Sequence, residues 1–413
     1  MSGAISDLSA RAILDSRGNP TVEVDCYVDG RMQGRAAVPS GASTGSYEAI
    51  ELRDGGDEWA GKGVASAVAN VNGEIREALI GMDVADQEGI DAILVSLDGT
   101  QNKARLGANA MLGVSMACLK AAAPGALWQH IAGEGPSSVP VPQMNILNGG
   151  AHAASNVDIQ EFMVVPHGFD SFPDALRAGV EIYHSLKAVL KEEGLLGGIG
   201  DEGGFAPNLS RNEDGLRLVL TAISGAGYTP GQQVSIALDC AAQEFCHDDG
   251  YHIDGSVLSG SELGQLYSSW LDTYPLVSLE DAFGEDDWGA WSEFTGREGH
   301  RVQVVGDDLY VTNPTRLSKG IAEGASNAIL IKLNQIGTVS ETMRVIEMAR
   351  SAGFSTIISH RSGETSDHMI SDLAVGSNAG QIKTGAPARS DRTAKYNQLI
   401  RINEQCQNYA DLF

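Results

Sequence analysis

Six short apolar runs in this chain each end on an ionisable residue. The runs IALD, VSLE, VQVVGD, AILIK, TIISH and QIK end at Asp239, Glu280, Asp307, Lys332, His360 and Lys383. Successive ends lie 41, 27, 25, 28 and 23 residues apart, which leaves room for a strand, a crossover helix and their loops. Because parallel strands of an α/β barrel end on one rim, the pattern predicts that all six side chains meet at one mouth. An open doubly wound sheet would instead spread these side chains along one edge. For any single one of the six, an equally good explanation is that a charged residue ends the strand because the chain emerges into water there.

The 413-residue chain is long enough for two domains. Residues 21–28 nearly alternate apolar and polar side chains, as a half-buried strand does, and residues 64–79 and 108–123 have helical spacing. A segment rich in proline and glycine follows, and beyond it short apolar runs alternate with helical segments. We therefore predict an N-terminal α+β domain over residues 1–125 and a C-terminal α/β barrel over residues 126–413.

Charge and cysteine content exclude several functions. The chain has 28 Lys and Arg against 54 Asp and Glu, a net charge of −26, which disfavours nucleic-acid binding by the general surface. Its five cysteines are scattered without a CxxC pair, so neither a disulfide framework nor a structural zinc site is indicated, and a reducing cytosol fits best. The N-terminal residues lack the apolar core of a secretory signal, and residues 106–128 are too interrupted by polar groups for a membrane span. We expect a cytoplasmic protein without membrane partners. A surface or secreted role, if the protein has one, would not be encoded by a targeting signal.

Three of the six strand ends are acidic. Asp239, Glu280 and Asp307 would bring hard oxygen ligands to one point, which suits Mg²⁺ and leaves positions for water and substrate. No His or Cys joins these acids, which argues against zinc, although Mn²⁺ would tolerate the same ligands. The alternative is a cluster of surface carboxylates.

Positive groups are predicted on the same rim. Lys332, Arg361 and Lys383 could clamp a doubly anionic small molecule against the metal. A lysine beside a divalent cation and a second lysine has its charged form disfavoured, so we expect the pKa of Lys332 to fall and Lys332 to act as a general base. Removing a proton next to a carboxylate builds a dianionic enolate, which strong, preorganised positive charge such as Mg²⁺ would stabilise.

Eight motifs run along nearly the whole chain. They are SRGNP at residues 16–20, SGASTG at 40–45, QEFM at 160–163, GDEGGFAP at 200–207, GDDLYVTNP at 306–314, KLNQIG at 332–337, SHRSGET at 359–365 and IKTGAPARS at 382–390. In these motifs and their order the sequence resembles the enolase family, most closely its bacterial form. The resemblance implies a small N-terminal α+β domain capping a modified eight-stranded α/β (TIM-like) barrel. It also implies a glycolytic hydro-lyase that interconverts 2-phosphoglycerate and phosphoenolpyruvate, with the lysine base and magnesium already established for the enolase superfamily.

The resemblance also implies roles for individual residues. Lys332 would remove the C2 proton of 2-phosphoglycerate, and Glu202 would protonate the departing 3-hydroxyl group. Asp239, Glu280 and Asp307 would bind the first Mg²⁺, with Lys383 assisting, and Ser43 would join a second Mg²⁺ site completed by the substrate phosphate. Arg361 and Ser362 would bind that phosphate, Gln160 and the catalytic Glu161 would line the leaving-group side, and His152 and His360 would contact substrate. The family is typically a homodimer or a ring of dimers.

Three departures from the family pattern leave alternatives open. The chain reads GGAHAASN around His152, EDAF at Glu280, and Ser366 after SHRSGET. None removes a named catalytic group, but the His152 segment keeps open an enolase-like paralogue acting on a related phospho- or phosphonopyruvate compound. An interaction or scaffold protein is a further alternative, although such a protein would not need to retain the base, the acid and the metal ligands together.

Overall fold

The computed structural model of the protein describes residues 3–41, 45–150 and 155–413. Near the N-terminus, three antiparallel strands form a sheet in the order β1 (Ile5–Leu14), β2 (Pro20–Val28) and β3 (Arg31–Ala37). The helices that follow are α1 (Ala65–Asn70), α2 (Arg76–Leu79), α3 (Gln87–Asp98), α4 (Ala108–Ala122) and α5 (Leu127–Ala132). A 3₁₀ turn spans Glu58–Gly61, and a π-helical turn, Val71–Ile75, joins α1 to α2. The predicted N-terminal α+β unit is thereby confirmed.

Helix α4 holds this sheet in place. Thirteen of its fifteen residues are buried, because it packs against β2 and β3 on one side and touches α11 and α12 of the barrel on another. Its approach to β3 is very close at Gly34, where a Cβ atom would lie 2.0 Å from the carbonyl oxygen of Ala117. Glycine is therefore required there by contact with the helix backbone.

The rest of the chain supplies the barrel. Its eight main strands are β4 (Val141–Asn148), β5 (Glu161–Val165), β8 (Ser235–Asp239), β12 (Leu276–Glu280), β13 (Gln303–Gly306), β14 (Ala328–Ile331), β15 (Ser355–Ser359) and β16 (Gly380–Lys383). Short accessory strands are β6 (Gly198–Ile199), β7 (Phe205–Ala206), β9 (Cys246–His247), β10 (Gly250–Ile253) and β11 (Ser256–Leu258). A 3₁₀ turn at Ala242–Phe245 precedes β9.

Helices alternate with the barrel strands. They are α6 (Phe172–Glu192), α7 (Asn212–Gly225), α8 (Gly260–Thr273), α9 (Trp288–Glu298), α10 (Pro314–Glu323), α11 (Leu333–Ile336), α12 (Val339–Ser351), α13 (Met369–Gly376) and α14 (Ser390–Asn403). Local sequence sets several of their starts. Ser259 and Glu262, for example, form a capping box in which each side chain accepts the other's backbone N–H at the start of α8.

The barrel closes through pairing of its first and last strands. The order is β4, β5, β8, β12, β13, β14, β15 and β16, and β16 pairs back onto β4. Strand β5 runs antiparallel to both neighbours, whereas the remaining neighbours in the ring are parallel. This is the modified eight-stranded barrel expected from the sequence, and the open-sheet alternative is wrong. All six predicted strand ends lie at the last residue of a strand or directly after it.

The domain boundary at residues 125 and 126 stays a prediction. Helix α5, just beyond it, packs against α13 of the barrel, which suits its assignment to the second domain. Within the described ranges, each helix is too short or too polar to cross a membrane.

Candidate active site

Strand register places three acids side by side on the barrel rim. Glu161 of β5 is paired with Asp239 of β8, and Asp239 is paired with Glu280 of β12. All three are almost completely buried. Burial, followed by repulsion from Glu202, raises the pKa of Glu161, and burial together with Asp239 raises the pKa of Glu280.

Lys383 reaches this row from β16, across the mouth. Its Nζ atom lies 2.8 Å from Asp239 Oδ2, 2.9 Å from both oxygens of Glu280 and 3.2 Å from Glu161 Oε2. Burial would lower the pKa of Lys383, but these carboxylates outweigh it and raise the pKa well above its usual value. Lys383 is therefore a fixed cation that offsets much of the repulsion among the three acids.

Asp307 and Lys332 form a second ion pair at the mouth, between the ends of β13 and β14. Gln335 of α11 donates to the other Asp307 oxygen at 2.9 Å, and Thr312 accepts the backbone N–H of Lys332 at 2.9 Å. Burial raises the pKa of Asp307, but Lys332 overrides that effect and the net pKa is lowered. The charge of Asp307 is thus retained inside the barrel.

The side chains alone raise the pKa of Lys332, and the fall expected beside a bound divalent cation stays a prediction. Burial does lower it, and so do Arg361 and Lys383, but the carboxylates of Asp307 and Glu280 outweigh them and the pKa is raised. The physical reason is the direct contact with Asp307, a pairing that the sequence pattern did not reveal.

The donor chemistry of the mouth fits magnesium. Asp239, Glu280 and Asp307 provide buried carboxylate oxygens from neighbouring strands, the ligand type that Mg²⁺ prefers. Among the described residues, however, the acidic group whose oxygens all lie within 4.8 Å of one another is Asp281, Asp307 and Asp308. The Asp281 oxygens accept the backbone N–H groups of Asp307 and Asp308 at 2.9 and 2.8 Å. Asp281 therefore holds the turn that presents Asp307, and the metal assignment to Asp239, Glu280 and Asp307 stays a prediction.

The predicted phosphate ligand Arg361 lies beside Asn334 and Glu48. Its guanidinium forms a two-point ion pair with Glu48, at 2.9 and 3.1 Å, and donates to Asn334 Oδ1 at 3.0 Å. Burial opposes the charge, but Glu48 keeps the pKa of Arg361 raised. Arg361 also lines an adjoining cavity together with Val38, Pro39, Glu48 and Asn334.

Glu202 and His360 meet on the other side of the mouth. His360 Nε2 lies 3.2 Å from Glu202 Oε2, and Asn145 Nδ2 donates to the same oxygen at 3.0 Å. The backbone of Glu202 is held as well, because its carbonyl accepts the N–H of Ala386 at 3.0 Å. Both side chains are buried, so the carboxyl group is oriented from two directions.

One small cavity joins most of the predicted site residues. It is lined by Gln160, Glu161, Glu202, Asp239, Asp307, Lys332, His360, Arg361, Ser362 and Lys383, together with Asp281, Asp308 and others. Gln160 donates to Asp239 at 3.2 Å. Ser43 and His152 lie outside the described residues.

Several residues of the mouth were missed from the sequence. Asp281 and Asp308 are the second acids of the ED and DD pairs, so the pairing itself was a usable signal. Burial and Asp307 raise the pKa of Asp308 to about 7. Glu48 and Asn145 lie far from the apolar runs in sequence, and no local pattern marks them.

Comparisons with known proteins agree along the whole chain. The family model described as "Enolase, N-terminal domain" matches residues 5–130, and the one described as "Enolase, C-terminal TIM barrel domain" matches residues 136–412. A curated protein named Enolase from Acidothermus cellulolyticus is 57% identical to this chain over 409 residues. The match covers 98% of this chain and 95% of that protein.

Proposed function

Because this chain belongs to the enolase family and catalyses the reversible dehydration of 2-phosphoglycerate to phosphoenolpyruvate, we propose a specific role for each side chain of its barrel mouth. The family uses Mg²⁺, and the reaction is that of a hydro-lyase acting on a phosphorylated small molecule. The matches give no support to the alternative substrate raised by the sequence departures. The observation that carries the residue roles is the single cavity that Lys332 and Glu202 share with Asp239 and Asp307.

Lys332 is the general base that takes the C2 proton of 2-phosphoglycerate at Nζ. To do so it must be neutral, which requires Asp307 to move away from it. Burial and the charges of Arg361 and Lys383 then lower the pKa of the lysine, opposed by Glu280, which raises it. Asp239, Glu280 and Asp307 would hold Mg²⁺, which would supply positive charge to stabilise the substrate carboxylate as its negative charge increases.

Glu202 is the general acid. It protonates the 3-hydroxyl group so that water, rather than hydroxide, leaves C3. Asn145 and His360 keep its carboxyl group oriented toward the cavity. Glu161, buried beside Lys383, assists on the leaving-group side together with Gln160.

The remaining residues hold the substrate. Arg361 and Ser362 bind the phosphate, and the planar fork of Arg361 already forms a two-point contact with a carboxylate in Glu48. Lys383 assists at the carboxylate end, and His360 contacts the substrate from the side of Glu202. We assign Ser43 to a second Mg²⁺ completed by the substrate phosphate, and His152 to substrate contact, on family resemblance alone.

The absorbance of phosphoenolpyruvate formed from 2-phosphoglycerate tests these roles. We expect EDTA to abolish activity and Mg²⁺ to restore it, and we expect Lys332→Ala and Glu202→Gln each to lower kcat by about 10²- to 10⁴-fold. Lys187, an exposed lysine of α6, gives a matched control in Lys187→Ala, which should keep parental activity.

Solvent deuterium exchange at C2 of 2-phosphoglycerate separates the two roles. Lys332→Ala should lose this exchange because no base removes the proton, whereas Glu202→Gln should retain it because only the later step is blocked. A Lys332→Ala enzyme with parental exchange, or a Glu202→Gln enzyme with parental dehydration, would show the corresponding assignment to be wrong.

Assembly and location remain proposals of the same kind. We propose a homodimer or a ring of dimers, which light scattering on the purified protein tests by its mass. We propose a cytoplasmic location, supported by the five cysteines, all of which are free thiols. Fractionation of cells expressing the protein tests that location.

A further inference from the structure

Arg392 is a buried cation that the roles above do not use. It lies near the start of α14 with no exposed surface, and it reaches the strand-end segment that carries His360. Its Nη1 atom donates to His360 Nδ1 at 2.5 Å and to the carbonyl of Arg361 at 2.6 Å. Its Nη2 atom donates to the carbonyl of Ser362 at 2.5 Å.

Two further oxygen atoms lie close to the guanidinium. Nη2 lies 3.4 Å from the carbonyl of Asp201, the residue before Glu202, and Nε lies 2.8 Å from Asp391 Oδ2. The guanidinium therefore joins the segment that carries His360 to the loop that carries Glu202. A planar group with fixed donor directions allows little rotation in such a position.

The contact with His360 determines where the imidazole proton lies. A guanidinium has five N–H donors, has no acceptor and stays charged in proteins. The Nδ1 atom facing it must therefore present a lone pair, so a neutral His360 carries its proton on Nε2. A doubly protonated ring would place one N–H group against another.

The proton on Nε2 faces the proposed general acid. His360 Nε2 lies 3.2 Å from Glu202 Oε2. Burial, opposed by Glu202 and aided by Arg392, lowers the pKa of His360 to about 3, so the ring stays neutral at physiological pH. The N–H group of a neutral ring then lies beside a carboxylate oxygen, at contact distance but without the alignment of a hydrogen bond.

We propose that Arg392 is a positioning residue for the reaction, because it fixes the Nε2–H tautomer of His360 and so places an N–H group beside Glu202. The inference rests on the acid role proposed for Glu202. The donor stabilises the carboxylate that remains after Glu202 has given its proton to the leaving hydroxyl group. In the other tautomer, a lone pair of Nε2 would face Glu202 and would either repel its carboxylate or accept its proton.

Lys395 provides a matched comparison on the same helix. It is also completely buried, and its Nζ donates to Glu364 Oε2 at 2.7 Å and to the carbonyl of Thr365 at 2.7 Å. Replacing Lys395 therefore removes a buried cation that supports the same segment. Among the described residues, however, Lys395 makes no hydrogen bond to the His360 ring. A purely structural role for Arg392 would make the two residues equivalent.

The test is ¹⁵N nuclear magnetic resonance of the full-length protein labelled with [¹⁵N]histidine, without substrate. The His360 signals are identified by their loss in His360→Asn. In the parent protein we expect an unprotonated Nδ1 and a protonated Nε2 at neutral pH. In Arg392→Met we expect the proton to shift toward Nδ1 or to be shared by both nitrogens, whereas Arg392→Lys, whose ammonium group also only donates, and Lys395→Met should keep the parental pattern.

Steady-state kinetics supply the second readout. We expect Arg392→Met to lower kcat roughly 10- to 100-fold, and by a larger factor than it raises KM, because the N–H group beside Glu202 is lost in the chemical step. If Arg392→Met fails to fold by circular dichroism, the parent spectrum still decides the matter, because a His360 protonated on Nδ1 would overturn the inference.

Three results would overturn the inference. They are a parent His360 protonated on Nδ1, a folded Arg392→Met protein with the parental His360 pattern, and a Lys395→Met protein with the same tautomer change as Arg392→Met. Failure of the acid role is recognised separately, because it appears as parental dehydration in Glu202→Gln whatever the tautomer of His360.

Discussion

The Nζ atom of Lys383 lies 2.9 Å from both carboxylate oxygens of Glu280, and it also contacts Asp239 and Glu161. Two of these three acids are proposed magnesium ligands. A single ammonium group therefore holds acids of three adjacent strands in one row, and the loss of one acid leaves it two partners. This arrangement allows one ligand to be changed without leaving a buried charge unpaired.

Glu280→Gln should weaken Mg²⁺ binding by at least about tenfold while the fold persists, because one carboxylate charge is lost and Lys383 keeps two partners. Isothermal titration with Mg²⁺ measures the affinity, and circular dichroism checks the fold. Glu298→Gln is the matched control, since Glu298 is a buried glutamate that pairs with Arg301 on the outside of the barrel. Equal Mg²⁺ affinity in the parent and Glu280→Gln proteins would contradict the assignment.

Arg361→Lys should raise KM for 2-phosphoglycerate about tenfold or more, because an ammonium group cannot reproduce the two-point contact of a guanidinium with an oxyanion. Initial rates over a range of substrate concentrations give KM and kcat. Arg217→Lys is a suitable control, since Arg217 makes a two-point contact with Glu193 on the exposed face of α7. A KM unchanged in Arg361→Lys would argue against phosphate binding by this residue.

Asp367 links the N-terminal unit to the barrel. It accepts a 2.6 Å contact from Lys120 of α4 and the backbone N–H of Ala37 at 3.0 Å. Burial acts to raise the pKa of Asp367, but Lys120 and the backbone donors outweigh it and hold the pKa below its usual value. A carboxyl group whose pKa is lower in the folded state stabilises that state above the unfolded pKa, about 3.9, and loses this contribution as the pH falls through the folded pKa.

Asp367→Asn should therefore lower the free energy of unfolding by about 2–3 kcal/mol at pH 7. The difference between parent and variant should stay constant down to about pH 5 and shrink below about pH 4. Urea unfolding followed by circular dichroism at each pH measures it. A difference that grew on acidification would show that Asp367 is not stabilised as the carboxylate.

Gly34→Ala should destabilise the protein by several kcal/mol, because the new Cβ would lie 2.0 Å from the carbonyl oxygen of Ala117, a backbone atom of α4 that cannot move alone. Thermal unfolding gives the change in midpoint. Gly296→Ala is the control, since Gly296 is in α9 with no atom within 4 Å of its added Cβ, and alanine there should be neutral or stabilise by up to about 1 kcal/mol. Similar midpoints for the two variants would contradict the close packing of β3 on α4.

Much of the fold could be predicted because its signals are local. The predicted helix at residues 108–123 is observed at Ala108–Ala122, and the IALD run at residues 236–239 lies in β8, with Asp239 as its last residue. Parallel strands in a closed barrel then bring their ends to one rim regardless of their separation in sequence. The convergence of Asp239, Glu280, Lys332 and Lys383 followed from that rule alone.

The sequence by itself thus determined which elements form, in which order, and which chemical groups stand at the barrel mouth. Only the tertiary structure decided which groups pair: Lys332 with Asp307, Arg361 with Glu48, and Arg392 with the ring of His360. Periodicity and strand spacing place a side chain to within several ångströms, whereas the strength and even the sign of an electrostatic effect depend on contacts of about 3 Å in a buried site. That is why the sequence placed Lys332 at the mouth but did not reveal the contact with Asp307, through which the side chains alone raise its pKa.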